Sequence, residues 1–259
     1  MRINLCKIFL SKLHGQLKKL KKNFVKNKIK KLWKRLNNKT FLSFTNMNLE
    51  TALMSEIKDL ILRKSKAFFM KAGVKSPSMD DVARHLTISK KTLYQHFSSK
   101  QDLLAQIFNC EEKEEAARIH TLGDTAKNAI EETIMIGRFV MEDLKQLMLS
   151  LPTVYEIRKY YNDIWVNYEN KMYENIYEGV HQNLERGKRE GLYRSELNSD
   201  MIAKFYVRSA MSIVNSEIFP DEKYYKPHLY REFLMYHING ITTPKGLQIL
   251  EENLKIINP

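Results

Sequence analysis

Eight consecutive residues, Ser89-Lys90-Lys91-Thr92-Leu93-Tyr94-Gln95-His96, bring cations, hydroxyls, an amide and an imidazole within two helical turns. Read as a short helix capped by Ser89, the run turns Leu93, and Phe97 one turn on, to one side. Lys90, Lys91, Thr92, Tyr94, Gln95 and His96 fill the other. Lysine at a helix start can reach guanine O6 and N7 or a phosphate; glutamine can pair with adenine. Threonine and tyrosine hydroxyls can donate to phosphate oxygens. The helix N-terminus adds its own partial positive charge. These types in this order suit the major groove of double-stranded DNA. The blander alternatives are a partly buried structural His96 and a merely solvated Lys90 and Lys91.

The elements that would hold this face can be read upstream. Ile57, Leu60, Ile61, Lys64, Ala67 and Phe68 recur at helical spacing up to Gly73, which suits a left-handed cap. Ser76-Pro77-Ser78 breaks the chain, and Ser78 is a good N-cap with Asp80 and Asp81 following in the first turn. A short helix Met79–Leu86 then buries Val82, Ala83 and Leu86, and Thr87-Ile88-Ser89 turns into the donor-rich helix. Two short helices joined by a three-residue turn make a helix-turn-helix unit. Residues 57–105 carry a local charge of +6, against −5 for 106–259, so the sign changes where a DNA-binding module would give way to another domain.

The string Met79-Asp80-Asp81-Val82-Ala83 followed by Ile88-Ser89-Lys90-Lys91-Thr92-Leu93-Tyr94-Gln95-His96-Phe97-Ser98-Ser99-Lys100-Gln101-Asp102-Leu103-Leu104 resembles the DNA-binding signature of the TetR family. The Thr-Leu-Tyr, the His-Phe and the Ser-Lys-x-x-Leu stand in register. The resemblance implies phosphate contacts from Thr92, Tyr94 and Lys100, a groove-facing role for Lys90, Lys91 and His96, and a core role for Leu93 and Phe97. The DNA-binding set is then Ser78, Ser89, Lys90, Lys91, Thr92, Tyr94, Gln95, His96 and Lys100. One departure stands out: Thr87 occupies a turn position where the family often has glycine. A left-handed backbone there would cost a non-glycine residue about 1 kcal/mol, so a slightly different turn is expected.

The charge of +13 for 259 residues belongs elsewhere. Residues 1–46 hold 14 Lys and Arg and no Asp or Glu, with Leu5, Phe9, Leu13, Leu17, Leu20 and Phe24 at helical spacing. Three readings of this basic leader stay open: binding to DNA phosphates, contact with an anionic membrane surface, or a start-site artefact upstream of Met47 or Met54. It has no apolar stretch of secretory or transmembrane length.

Past Lys100 the pattern stays helical. A helix should run through Leu103, Leu104, Ile107 and Phe108, with a weak break at Thr121–Asp124. Further helices are expected at Ala126–Ser150, from Thr153 to about Lys188, at 199–217 and 227–240, and at Thr243–Ile256. Alternation that would signal strands is not evident. The segment Arg186-Gly187-Lys188-Arg189-Glu190-Gly191-Leu192-Tyr193-Arg194 resembles a helix-to-helix corner of TetR-like regulatory domains, in which the last two long helices form a dimer interface. Tyr161, Trp165 and Tyr168 share a face at i, i+4, i+7 and could line an effector pocket, with core packing as the alternative.

These readings converge on an all-α chain: a leader (1–46), a three-helix helix-turn-helix domain (54–105), and a helical regulatory and dimerisation domain (106–259). The expected partners are an operator in double-stranded DNA, a second copy of the chain and a small-molecule effector. No enzyme motif is found, the seven histidines lack metal-ligand spacing, and no cofactor or metal is expected. Two cysteines outside any Cys/His cluster fit a reducing, cytoplasmic setting.

Overall fold

The structure, a computed structural model, describes residues 46–148 and 151–257. The basic leader up to residue 45, and the expectations attached to it, lie outside them. Among the described residues there are helices and no strand: α1 (Asn46–Ala72), α2 (Met79–Leu86), α3 (Lys90–His96), α4 (Lys100–Thr125), α5 (Ala129–Met148), α6 (Leu151–Tyr160), α7 (Asn162–Arg189), α8 (Ser199–Ile213), α9 (Lys226–Ile241) and α10 (Pro244–Ile257). The chain divides into two compact units between Ile107 and Phe108.

The first unit buries Ile61, Leu62 and Phe69 of α1, Val82, Ala83 and Leu86 of α2, and Leu93 of α3 together with Phe97, Leu103, Leu104 and Ile107. These are the apolar positions of each short amphipathic stripe. They hold α3 in place from behind and leave its polar side outward.

The turn between α2 and α3 corrects the sequence expectation. Thr87 does take the left-handed backbone, with φ 59° and ψ 39°. Its N–H donates to the Arg84 carbonyl at 3.1 Å, and the Ile88 N–H donates to that of Ala83 at 3.0 Å. This pair of bonds closes the helix end in the usual two-bond cap and outweighs the side-chain strain. Thr87→Gly is therefore expected to raise stability by about 1 kcal/mol in urea unfolding, because only the strain is removed. A destabilised variant would refute this account of the turn.

In the second unit α7 packs on α8, and both α9 and α10 pack on α5. The core gathers Ala129, Ile130, Ile134, Leu184, Leu192, Tyr193, Ala203, Ile238, Ile241 and Leu250. An adjoining cluster holds Leu144, Tyr206, Ile213, Tyr230 and Leu234. The corner after α7 is built on absent side chains. A Cβ on Gly187 would lie 2.0 Å from the Tyr193 ring, and Gly191 turns with φ 67°. The buried Tyr193 hydroxyl donates to the Ala129 carbonyl and the Asn183 side chain at 3.1 Å each, and pairs with Thr133 at the same distance. Glu190 accepts the Ala129 N–H at 2.8 Å, closing the start of α5, while Arg186 bonds Glu190, Glu132 and the Ala126 carbonyl.

Three helix boundaries differ from expectation. The weak break at Thr121–Asp124 is absorbed into α4, which runs on to Thr125; Asn128 then caps α5. The helix expected from Thr153 to Lys188 is two, parted at Tyr161, whose φ −136° and ψ 47° leave the helical region. Its N–H still bonds the Ile157 carbonyl and its carbonyl starts α7, so the break needs neither proline nor glycine. The helix expected over 199–217 stops at Ile213, where a turn through Asn215 takes over.

Candidate nucleic-acid interface

The helix-turn-helix assembles by local capping. The Ser78 hydroxyl accepts the Asp81 N–H at 3.2 Å, and the Asp81 carboxylate accepts the Ser78 N–H at 2.9 Å. That reciprocal pair fixes the start of α2. The Ser78 bonds hold the Asp81 carboxyl below its usual range. Ser89 repeats the device at α3: its hydroxyl accepts the Thr92 N–H at 3.0 Å and meets the Thr92 hydroxyl at 2.7 Å. The Ser99 hydroxyl accepts the Asp102 N–H at 3.0 Å at the start of α4.

On this frame the outward row of α3 is Lys90, Lys91, Tyr94 and Gln95, all exposed. Tyr94 is 50% exposed, its ring open on the outward side of α3. Thr92 is half-buried and already engaged with Ser89. The Lys90 ammonium pairs with the Asp80 carboxylate of α2. Lys100, at the start of α4, donates to the Lys75 carbonyl at 3.2 Å. His96 is half-buried, and burial followed by the nearby Lys58 charge pulls its pKa down. Its ring lies 6.2 Å from that of Phe97, centroid to centroid. Lys58 was missed in the sequence: 38 residues from His96, it gave no spacing signal, yet its charge also acts on Asp102. His85 is exposed and stacks on Phe68, with ring centroids 4.4 Å apart.

In the second unit the ring of Phe108 joins Trp165 and Tyr168, at 6.4 Å and 5.1 Å between centroids, and these two lie 5.8 Å apart. Tyr161 stands one turn earlier, at the break before α7. Among the described residues no group of His, Cys, Asp and Glu is arranged to hold a metal, and no helix is long and apolar enough to cross a membrane.

A capped pair of short helices with cations and donors on one open face, followed by a separate helical unit, defines a helix-turn-helix DNA-binding regulator. Residues 61–107 match the family model described as bacterial regulatory proteins, tetR family. Over these residues the chain is similar to the DNA-binding segment of TetR-family transcriptional regulators. The HTH-type transcriptional repressor KstR2 of Mycolicibacterium smegmatis is 20% identical over 200 residues, 73% of this chain and 92% of the relative. Among solved structures, a TetR-family regulator of Mesorhizobium loti is 16% identical with a TM-score of 0.59, covering 73% of this chain and 98% of its own. SmeT, the repressor of the Stenotrophomonas maltophilia multidrug efflux pump SmeDEF, is 13% identical with a TM-score of 0.58, over 72% of this chain and 91% of its own.

Proposed function

We propose that the chain is a cytoplasmic, non-enzymatic repressor that grips its operator as a homodimer and leaves it when a small molecule occupies the second unit. The observation that carries this reading is the exposed row Lys90, Lys91, Tyr94 and Gln95, set on a helix whose back is fully buried. Lys91 and Gln95, one turn apart, face base edges; Tyr94, Thr92 and Lys100 approach phosphates; the caps Ser78 and Ser89 present the ends of α2 and α3 to the backbone of the DNA. His96, half-buried at the end of α3, belongs to the same proposed DNA-binding set.

The dimer is supported by large apolar side chains left in water on α8 and α9: Met201 is 52% exposed, Phe205 65% and Tyr236 83%. A helix-turn-helix reader gains specificity by engaging two half-sites with matching two-fold symmetry. Repression follows the relatives, both KstR2 and SmeT being named repressors. Selecting fragments of its own genome with the purified protein, then footprinting them, tests the reading. The expected result is an inverted repeat with half-sites about one helical turn apart or a multiple of it. A single unrepeated site, or no enriched sequence, would refute it.

A further inference from the structure

We propose that the effector site of the second unit takes an aromatic organic cation, received by the rings of Phe108, Trp165 and Tyr168 and by the carboxylates of Glu115 and Asp143. This rests on the reading of that unit as effector-binding, with Tyr161, Trp165 and Tyr168 as the expected lining.

The rings come first. Phe108 meets Tyr168 edge-on at an interplanar angle of 76° and Trp165 at 81°, an arrangement that leaves ring faces turned toward other groups. The guanidinium of Arg158 already rests 5.4 Å over the Trp165 ring, so this indole accepts a cation in the structure itself. The Trp165 indole N–H is inaccessible to solvent and has no hydrogen-bond partner among the described residues. Such a donor calls for an acceptor that the described residues do not provide, and a ligand π-face or oxygen would supply it.

The charges come second. The Tyr168 hydroxyl lies under the influence of Glu115, Asp143, Glu111 and Glu112, and with burial as the larger cause it is held well above the ordinary phenol range. Glu115 is pushed up to about 7, first by burial and then by Asp143, with Glu111 and Glu112 adding and Arg118 opposing. The groups acting on Glu115 are therefore three acids and one base, drawn from α4 and α5, with the Tyr168 phenol of α7 alongside. Arg118 is itself turned over the Phe139 ring, 5.2 Å from its centroid. Glu112 accepts from the Asn175 amide at 2.8 Å. A half-buried carboxyl short of positive partners is a seat for a ligand cation. Seating one requires the ionised form, so a proton leaves Glu115 on binding.

The test uses the full chain with Trp33→Phe, which leaves Trp165 as the fluorophore, the sequence having two tryptophans. Benzyltriethylammonium, tetraphenylphosphonium and the isosteric anion tetraphenylborate are titrated in turn. The expected result is saturable quenching by at least one cation and none by the anion at equal concentration. Affinity should rise up to about tenfold from pH 6 to pH 8, as Glu115 ionises. Glu115→Gln should weaken cation binding about tenfold and flatten the pH profile. Glutamine has the size and neutrality the buried site favours, and circular dichroism with thermal melting confirms its fold. Asp143→Asn, at an exposed position, should give a smaller loss. Equal binding of the anion, an unaltered Glu115→Gln variant, or quenching by neither cation overturns the proposal. The underlying site reading is tested apart from charge: a small-molecule extract that frees wild-type protein from its operator should fail on Trp165→Ala.

Discussion

Alanine at both Lys91 and Tyr94 is expected to weaken operator binding about 10²- to 10³-fold while leaving the protein as stable as before. A single contact of this kind to a phosphate or base edge is worth about 1–3 kcal/mol, and two lost from one helix come to roughly 3–4 kcal/mol. The fold should not respond, because both side chains are exposed and the helix is held by Leu93 and Phe97 from behind. Surface changes of this sort usually stay within about 0.5 kcal/mol. The single variants should separate the two roles. Lys91→Ala should lower the slope of affinity against salt by about one and relax preference at one base position if the ammonium reads an edge. Tyr94→Ala should weaken all sequences alike. Fluorescence anisotropy on the selected operator, at two salt concentrations, measures both. Unchanged affinity in the double variant would remove α3 as the reading element.

The largest stability effect is expected at Gly187. Alanine there would place a methyl group 2.0 Å from one ring carbon of Tyr193 and 2.4 Å from the next. Tyr193 is 1% exposed and cannot swing away without giving up its bonds to Ala129, Asn183 and Thr133. Overpacking of a rigid core costs about 1–3 kcal/mol, and loosened buried hydrogen bonds add a similar amount. Gly187→Ala should therefore lose about 3 kcal/mol or more in denaturant unfolding. Gly179 on the same helix has open space where its Cβ would be. Gly179→Ala should instead gain about 0.5–1 kcal/mol from better helix propensity. The same substitution, eight residues apart, then has opposite signs. Equal effects at the two sites would show that the Tyr193 ring is not what fixes the corner.

The first unit was legible because its instructions are local. Ser78 and Asp81, Ser89 and Thr92, and Leu93 and Phe97 each act across three or four residues, so cap, stripe and turn can be read from the string. The left-handed turn was the exception: the cost to Thr87 was visible, but the backbone bonds to Ala83 and Arg84 that outweigh it were not. The second unit was legible as helices and less so at their ends. Ile157 and Ile164 continue one apolar stripe through Tyr161, so periodicity carries no mark of the break. Gly123 looked like a stop and is accommodated inside α4. The surroundings of Glu115 were hidden for a different reason: they come from Asp143 and Tyr168, residues brought near only when α5 and α7 are in place. Lys58 illustrates the same limit at the interface, since its charge acts on His96 and Asp102 from far away in sequence.

The capping of α5 has a bearing on how the chain comes to be folded as it is made. The first N–H of that helix is satisfied by Glu190, 61 residues later, and the Tyr193 hydroxyl closes on Thr133 and Ala129 across a similar span. At ordinary synthesis rates those partners emerge roughly 3–12 s after the helix they complete. During that interval the reading head, whose caps lie within a few residues of the groups they serve, already has what it needs. The regulatory core must wait for its last contributors and pay a longer loop closure. The nascent chain thus acquires its DNA-reading surface before the unit proposed to control it.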